Sequence, residues 1–330
     1  MNLKENKKVQ KEKFNIFFER IIIVTRKTRL EELLDRYTTK MQVSFFLKTR
    51  NQTIDDYQLE YDNYYNSLEI VKNALPKDIK VQMIDREFLP NFMFTEKDLV
   101  IVLGQDGLVV NSAKYLDNQP ILAVNPDPDR FDGVLLPFLP EEVKFYINDI
   151  LRNRVDFYNI TMGKIETNDR QTLYAFNDFF IGPKSHISVK YTIYYKNQSE
   201  RQISSGIIAS TPAGSTGWLS SVYNMSQKIS HYYLQKSDIS KIQERLSWEE
   251  EKMIFVVREP FISKWSSANI VIGEINHKNQ LIIESHMPEN GIIFSDGIEK
   301  DYISFNSGCI ATIKIAEKKT RLIIKPKSSK

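Results

Sequence analysis

Short, continuously apolar segments alternate with helical segments through the first third of the chain, and this alternation constrains the fold more than any other feature. Arg20–Thr25 and Asp98–Leu103 consist largely of β-branched and aliphatic residues, which is typical of strands buried on both faces. Ile79–Ile84 and Pro120–Val124 predict two more strands. Helical patterns separate the strands, beginning at Leu30, across Asp55–Ala74 and across Leu108–Leu116. Strands that alternate with helices predict an α/β domain with a parallel sheet.

The residues after Pro140 predict a domain of a different class. One helix, Glu141–Arg152, leads into many short strands that are separated by Asn, Asp and Gly. The predicted strands are Phe157–Ile165, Thr172–Ile181, Ile187–Tyr195, Gln202–Ala209, Met253–Val257, Ile270–Ile272, Leu281–Glu284, Ile292–Phe294, Ile310–Ile315 and Leu322–Ile324. Two helical stretches, Ser215–Ser230 and Ile239–Glu251, interrupt the series. This pattern predicts a mostly antiparallel, β-rich domain.

The 330 residues are therefore expected to form a basic N-terminal extension (1–19), an α/β domain (20–140) and a β-rich domain (141–330). We expect the C-terminal end to pack back on the first domain. The net charge of +3 is too small to predict a nucleic-acid partner. No apolar run approaches the ~20 residues that a membrane helix needs, so no membrane partner is expected.

The cysteine and histidine content bounds the chemistry and the compartment. The single cysteine, Cys309, excludes an intrachain disulfide, and the four histidines lack the spacing of metal ligands. The Lys-rich residues 1–13 contain no apolar stretch, so they do not resemble a secretory signal. They contain neither Arg nor Ser, which makes a mitochondrial leader the less favoured interpretation. We therefore expect a cytoplasmic protein.

The tetrapeptide Gly104-Gln105-Asp106-Gly107 lies directly between a predicted strand and a predicted helix. In an open α/β sheet, ligands bind beyond the carboxyl ends of the strands, and glycines at a helix start let backbone N–H groups approach a phosphate. The alternative is a plain turn, in which glycine supplies a positive φ and Asp106 caps the helix. The residues match neither a P-loop nor the dinucleotide fingerprint GxGxxG.

A second segment, 204–218, runs from an apolar strand through a loop of small hydroxyl residues and glycines into a helix. Hydroxyls and free amides at a helix start suit the phosphates and polar edges of a nucleotide, and Trp218 offers an apolar wall for a base. The alternative is that Ser215 or Thr216 merely caps the helix and that Trp218 belongs to the core. From this segment alone both interpretations stay open.

Considered together, the motifs of this chain resemble those of the NAD kinase family, which shares a superfamily with diacylglycerol and sphingosine kinases. The resemblance runs from about Arg20 to the end of the chain. It is carried by 104–107 (GQDG, similar to GGDG), 124–133 (similar to NTDPxRxxG), 176–178 (FND, similar to an Asn-Glu pair), 210–218 (STPAGSTGW, similar to STPTGSTAY) and 295–297 (SDG, similar to a late DG turn). Segments 27–29, 204–206 and 258–260 are more similar to the mitochondrial-type branch than to the common bacterial one.

The resemblance implies an NAD kinase-like two-domain fold and an ATP-dependent phosphotransferase that converts NAD to NADP. Asp106 would activate the 2′-hydroxyl of the NAD adenosine ribose, because this poor nucleophile must lose its proton as the bond to phosphorus forms. Mg²⁺ would accompany ATP, and no protein side chain is assigned to a metal. The residues implied for binding the phosphates of ATP are Gly104, Gln105, Gly107, Lys27, Arg29 and Arg130. Those implied for binding NAD are Asn177, Asp178, Ser205, Thr216, Gly217 and Trp218. The alternative for Lys27, Arg29 and Arg130 is that they are surface charges beside a strand end and bind no phosphate.

Several residues depart from the family pattern. Gln105 replaces a glycine, and its side chain is expected to restrict φ and to narrow the space beside the phosphates. Asp178 replaces Glu and so has a shorter reach. Gly217 and Trp218 replace Ala-Tyr, which loses a methyl contact and exchanges a hydroxyl for a larger stacking face. Because Asp106 is kept, we expect an active kinase with an altered pocket.

Two other functions stay open at this point. The chain could be a kinase of the same fold that acts on another hydroxyl, in a sugar, a nucleoside or a lipid headgroup. It could also be a nucleotide sensor that has lost catalysis, which the Gln105 departure makes conceivable. In each case the expected partners are small nucleotides and further copies of the chain, since the resemblance implies a homodimer or tetramer formed through the β-rich domain.

Overall fold

The computed structural model describes residues 17–234 and 246–326, which form two units. Residues 17–158 and 321–326 belong to the first unit, and 159–234 and 246–320 to the second. The sequence places this boundary near residue 140. It lies later because the helix Val143–Leu151 contributes three buried aliphatic side chains to the core of the first unit. Most of the predicted N-terminal extension (1–16) and residues 239–245 of a predicted helical stretch lie outside the described residues.

The first unit is the predicted α/β domain. Its elements are β1 (Arg20–Thr25), α1 (Arg29–Tyr37), α2 (Lys40–Lys48), α3 (Asp55–Ala74), β2 (Lys80–Asp85), β3 (Asp98–Leu103), α4 (Asp106–Lys114), β4 (Pro120–Val124) and α5 (Val143–Leu151). Helix α2 was not predicted, because its residues, KMQVSFFLK, mix β-branched and aromatic types that are weak helix formers. The side chain of Thr39 accepts the N–H of Gln42 at 3.3 Å and so starts this helix.

The strands of the first unit are parallel and lie in the order β2-β1-β3-β4. The residues of β3 and β4 are all buried, and helices α3 and α5 cover one face of the sheet. The chain runs from β1 outward to β2 and then returns to the other side of β1 to form β3. The loops after β1 and β3 therefore flank a topological switch point, where open α/β sheets bind their ligands.

The second unit is β-rich and antiparallel, as predicted. Its strands are β5 (Phe157–Thr167), β6 (Thr172–Ala175), β7 (Asp178–Pro183), β8 (Val189–Tyr195), β9 (Gln198–Ser204), β10 (Gly206–Ser210), β11 (Met253–Arg258), β12 (Ile272–Ile275), β13 (Leu281–Ser285), β14 (Gly291–Ser295), β15 (Ile298–Ser304) and β16 (Ile310–Ile323). One sheet has the order β12-β11-β10-β7-β14-β15, and β16, β13, β8 and β9 follow one another in the other. Both sheets contribute to one buried core, which includes Phe179, Tyr191, Phe255 and Ile283.

Some predicted strands differ from the observed ones, because the structure divides two of them and joins two others into one. The predicted strand Thr172–Ile181 is two strands that separate at residues 176 and 177, and Gln202–Ala209 is divided at Ser205. The two predicted strands that end the chain are one long strand, β16, whose last residues pair in parallel with β4 in the first unit. One helix of this unit, α6 (Trp218–Leu234), matches the predicted stretch with a shift of a few residues. No helix among the described residues is long and apolar enough to cross a membrane.

Candidate active site

The tetrapeptide at the end of β3 forms an unstrained entry into α4. Gln105 is the N-cap residue, with a φ of −95° and a ψ of 165°, and Asp106 is the first residue of the helix. Neither Gly104 nor Gly107 has a positive φ. The alternative in which glycine supplies a positive φ and Asp106 caps the helix is therefore wrong. Gln105 has an extended conformation that any residue adopts, so its side chain does not strain the turn, and the narrowing of the space beside the phosphates stays a prediction.

The two glycines of the tetrapeptide have different roles. A Cβ on Gly104 would lie 2.8 Å from Leu108 Cδ2 and 3.6 Å from Arg26 Cδ, so this position needs glycine for close packing. Gly107 is exposed, and no atom lies within 4 Å of the place where its Cβ would be. The start of α4 therefore leaves open space beside backbone N–H groups, which suits an anion.

The Asp106 carboxylate is oriented by a loop that follows β4. Its Oδ1 accepts the N–H of Leu135 at 2.6 Å. Two residues shape this loop. Asn125 donates to the carbonyl of Phe131 at 3.0 Å, and Gly133 has a φ of 62° with Asn125 Nδ2 only 2.5 Å from where a Cβ would be. Asp106 Oδ2 has no hydrogen-bond partner among the described residues, so one carboxylate oxygen is anchored and the other is free to accept a proton.

The three cations that the sequence assigns to phosphate binding are all paired with carboxylates. Lys27 Nζ lies 2.7 Å from Asp35, which raises the pKa of the lysine. Arg130 forms two hydrogen bonds to Asp56, at 2.8 and 3.2 Å, and Arg29 bonds the same carboxylate at 2.8 Å. These two guanidinium groups lower the pKa of Asp56 to about 2. A phosphate that binds these arginines would have to displace a half-exposed carboxylate.

Arg26, which the sequence reasoning missed, packs directly against the tetrapeptide, with its Cδ 3.6 Å from the position that a Cβ on Gly104 would take. It is buried, its Nη2 bonds Glu60 Oε1 at 2.9 Å, and its side chain packs beside Gly104. Glu60 also accepts from Arg29. Arg26 Nε is buried and has no hydrogen-bond partner in the part of the chain that the structure describes. The available signal was its position as the first residue after β1, at the switch point of the sheet.

In the second unit, Asn177 and Asp178 lie at the start of β7 with their side chains unpaired. Neither side chain has a hydrogen bond to any described residue, although Asp178 is only 8% exposed. Burial, together with the nearby Asp296 carboxylate, raises the pKa of Asp178 to about 7. A buried carboxylate and an amide without partners are the arrangement expected of groups that bind a ligand.

The loop that begins at Ser210 contacts the backbone of Asn177. The N–H of Thr211 donates to the Asn177 carbonyl at 2.8 Å. A Cβ on Gly214 would lie 2.1 Å from the same oxygen, so only glycine fits there. Thr216 and Gly217 follow in this loop and are exposed. The structure thus places the segment that carries Asn177 and Asp178 against the loop that carries Thr216 and Gly217.

Trp218 and Ser205 are linked through Arg258, a residue the site prediction omitted. The Trp218 ring stacks on Phe180 with centroids 5.5 Å apart, and the Arg258 guanidinium lies 5.5 Å from the Trp218 ring. Ser205 interrupts the strands β9 and β10, and its N–H donates to the Arg258 carbonyl at 3.0 Å. Trp218 is half-buried in a small aromatic cluster on the outer face of the sheet.

Comparisons with known proteins identify the fold. No family model and no curated protein sequence matches the chain. Among solved structures, yeast NADH kinase complexed with NADH is similar with a TM-score of 0.59 and 15% identity, over 94% of this chain and 84% of that one. An NAD kinase from Archaeoglobus fulgidus in complex with ATP is similar with a TM-score of 0.52 and 16% identity, over 92% of each chain. This chain therefore has the two-domain fold seen in NAD kinases.

Proposed function

We propose that this chain transfers the γ-phosphate of ATP to the 2′-hydroxyl of the adenosine ribose of NAD. The observation that carries the proposal is Asp106, a carboxylate at the switch point of a parallel sheet with one oxygen held by the Leu135 N–H and the other unpaired. A general base needs this combination of fixed orientation and a free lone pair. As the ribose oxygen bonds to the γ-phosphorus, the bond from that phosphorus to the β,γ-bridging oxygen would break, ADP would leave, and the ribose proton would pass to the unpaired oxygen of Asp106.

The second unit supports a dinucleotide as the acceptor. Asn177 and Asp178 offer an amide and a carboxyl group whose side chains bond no residue within 17–234 or 246–326, which suits the hydroxyls of a ribose and the polar edge of adenine. The fold shared with kinases whose structures contain NADH or ATP agrees with this assignment. The similarity of segments 27–29, 204–206 and 258–260 to the mitochondrial-type branch stays a prediction.

Mg²⁺ is the cofactor we expect with ATP. No group of three or more His, Cys, Asp or Glu among the described residues could hold a metal. Mg²⁺ is commonly bound by substrate phosphates and water, so we expect the phosphates of ATP to hold the ion and assign no protein side chain to it. When bound, the ion would neutralise charge on the phosphates.

The experiment is an assay of product formation from NAD or NADH, ATP and Mg²⁺. An NADP-specific glucose-6-phosphate dehydrogenase couple detects the NADP made from NAD, and chromatography detects the NADPH made from NADH. We expect turnover that requires both ATP and Mg²⁺. Absence of NADP or NADPH formation, with protein shown to be folded, would overturn the proposal. Inorganic polyphosphate in place of ATP tests the phosphate donor in the same assay.

A second candidate is a kinase of the same fold with a different hydroxyl acceptor. It is favoured by the stacking of Trp218 on Phe180, which leaves less of the indole available to a base than the sequence alone suggested. Thermal protection separates the candidates. NAD or NADH raises the melting temperature if the first proposal is right, whereas nucleosides or sugars do so if the second is right.

A further inference from the structure

Asp296 belongs to a tight turn, yet its side chain contacts a different connection of the sheet. Asp296 and Gly297 form the two-residue link between β14 and β15, with positive φ values of 55° and 71° that suit these two residue types. The Asp296 carboxylate accepts three consecutive backbone N–H groups, those of residues 176, 177 and 178, at 3.0, 2.7 and 3.2 Å. These residues (here the 176–178 segment) join β6 to the start of β7.

The remaining backbone groups of the 176–178 segment are also paired. The N–H of Asp296 donates to the carbonyl of residue 178 at 2.9 Å. Thr211 donates its N–H to the carbonyl of residue 177 and its hydroxyl to that of residue 176. All six backbone polar groups of the 176–178 segment therefore have partners, and three of the six bonds end on the Asp296 carboxylate.

The side chains of this segment contrast with its backbone. Phe176 is fully buried, whereas Asn177 and Asp178 have no side-chain hydrogen bond to any described residue. A backbone that is completely bonded holds these two polar side chains in one orientation before any ligand arrives. Such preorganisation lowers the cost of binding, since the ligand does not have to order the groups that contact it.

We infer that Asp296 is a positioning residue for the nucleotide site, because its carboxylate fixes the backbone that carries Asn177 and Asp178. The inference rests on the proposed function, in which these two side chains bind NAD. Asp296 contacts no reacting atom in this role. The charge of Asp296 also raises the pKa of Asp178, so its removal makes the Asp178 carboxyl easier to ionise.

The test is Asp296→Asn, with Glu299→Gln as the matched control. Asparagine adopts a positive φ readily, so the turn is kept, but its amide group cannot accept at both positions where the carboxylate oxygens accept. Glu299 is an exposed residue of the same hairpin, and its replacement removes the same charge without touching the 176–178 segment.

We expect Asp296→Asn to raise the KM for NAD about tenfold or more, as loss of a charge-assisted hydrogen bond predicts. We expect kcat and the affinity for ATP to change less than about threefold, because Asp106 and its loop are untouched. The pH profile of NAD binding should shift to lower pH, since Asp178 then ionises more easily. The control should match the wild-type protein in all of these measurements.

Amide hydrogen exchange of the unliganded wild-type protein gives a test that needs no variant. The amides of the 176–178 segment should exchange slowly without ligand, because each is bonded to Asp296. Exchange as fast as in an exposed loop, or an unchanged KM in a folded Asp296→Asn protein, overturns the inference. A wild-type protein that binds no NAD overturns the proposed function instead, and the exchange rates still decide whether Asp296 fixes this segment.

Discussion

The Asp106→Asn substitution is the sharpest test of the proposed chemistry, because the structure predicts that it removes the base and spares the fold. The Leu135 N–H that binds Asp106 Oδ1 at 2.6 Å can bond an amide oxygen equally well, so the loop after β4 keeps its anchor. The amide nitrogen then takes the place of the unpaired oxygen. An amide nitrogen in that place cannot accept the ribose proton.

Asp106→Asn should lower kcat much more than it lowers the free energy of unfolding. Asp106 is the first residue of α4, where a negative charge contributes about 0.3–1 kcal/mol through the helix dipole. Replacing the charge-assisted bond to Leu135 by a neutral one costs about 1 kcal/mol more. The free energy of unfolding should therefore fall by about 1–2 kcal/mol. Loss of a general base costs about 10²–10⁴ in kcat, which corresponds to roughly 3–5 kcal/mol of activation free energy.

The assay is the coupled measurement of NADP formation, with NAD affinity and urea unfolding measured on the same samples. Asp129→Asn is the matched control, because Asp129 is exposed in the same loop that orients Asp106 and makes no bond to a described residue. We expect NAD affinity to change little in both variants. An Asp106→Asn protein with a kcat within tenfold of wild type would refute the assignment of Asp106 as the base.

Three further predictions follow from the same geometry. Gln105→Gly should keep the rate of NAD phosphorylation within about threefold of wild type, since Gln105 has an ordinary φ of −95°. A tenfold loss of that rate would indicate that the Gln105 side chain contacts a substrate. The protein should be a homodimer, and light scattering that gives the monomer mass of 38.6 kDa at micromolar concentration would contradict this. Between about pH 4 and 7, Asp178 should contribute a negative slope of stability against pH, because native Asp178 (pKa raised from 3.8 to about 7) keeps a proton that the unfolded chain releases. Asp178→Asn should remove that slope in urea unfolding, and an unchanged slope would contradict the raised pKa.

Much of the fold could be predicted from local sequence pattern. The buried strands β1, β3 and β4 are continuous apolar runs, and their alternation with helices leaves few arrangements other than a parallel sheet. The antiparallel class of the second unit was equally visible in its short strands. The sequence pattern did not predict that two of these strands are interrupted, one at residues 176–177 and the other at Ser205. These breaks are set by tertiary bonds from Thr211, Asp296 and Arg258, which no local pattern contains.

The candidate site was predicted in part for the same reason. Motif resemblance led to Asp106, Asn177 and Asp178, because chemistry-bearing residues are visible in the sequence. It did not reveal that Arg29 and Arg130 share a carboxylate, since Asp56 lies far from both in sequence and pairs with them only through the fold. The roles of Leu135 and Asp296 were also hidden, because one acts through its backbone and the other through the backbone of another segment.

The departures from the family pattern lie where the backbone tolerates a change. Gln105 has an extended conformation, and a Cβ on Gly217 would lie 3.4 Å from the carbonyl oxygen of Gly214, close to ordinary van der Waals contact. Three glycines that match the pattern lie where the geometry restricts the residue, whereas Gly107, which also matches, lies in open space. A Cβ at Gly104 or Gly214 would overlap neighbouring atoms, and Gly133 combines such an overlap with a positive φ. The chain therefore varies at side chains that could meet a ligand while it keeps the residues that shape the loops. We therefore expect altered substrate preference rather than loss of catalysis, and the orientation of the Asp106 carboxylate by the Leu135 N–H agrees with that expectation.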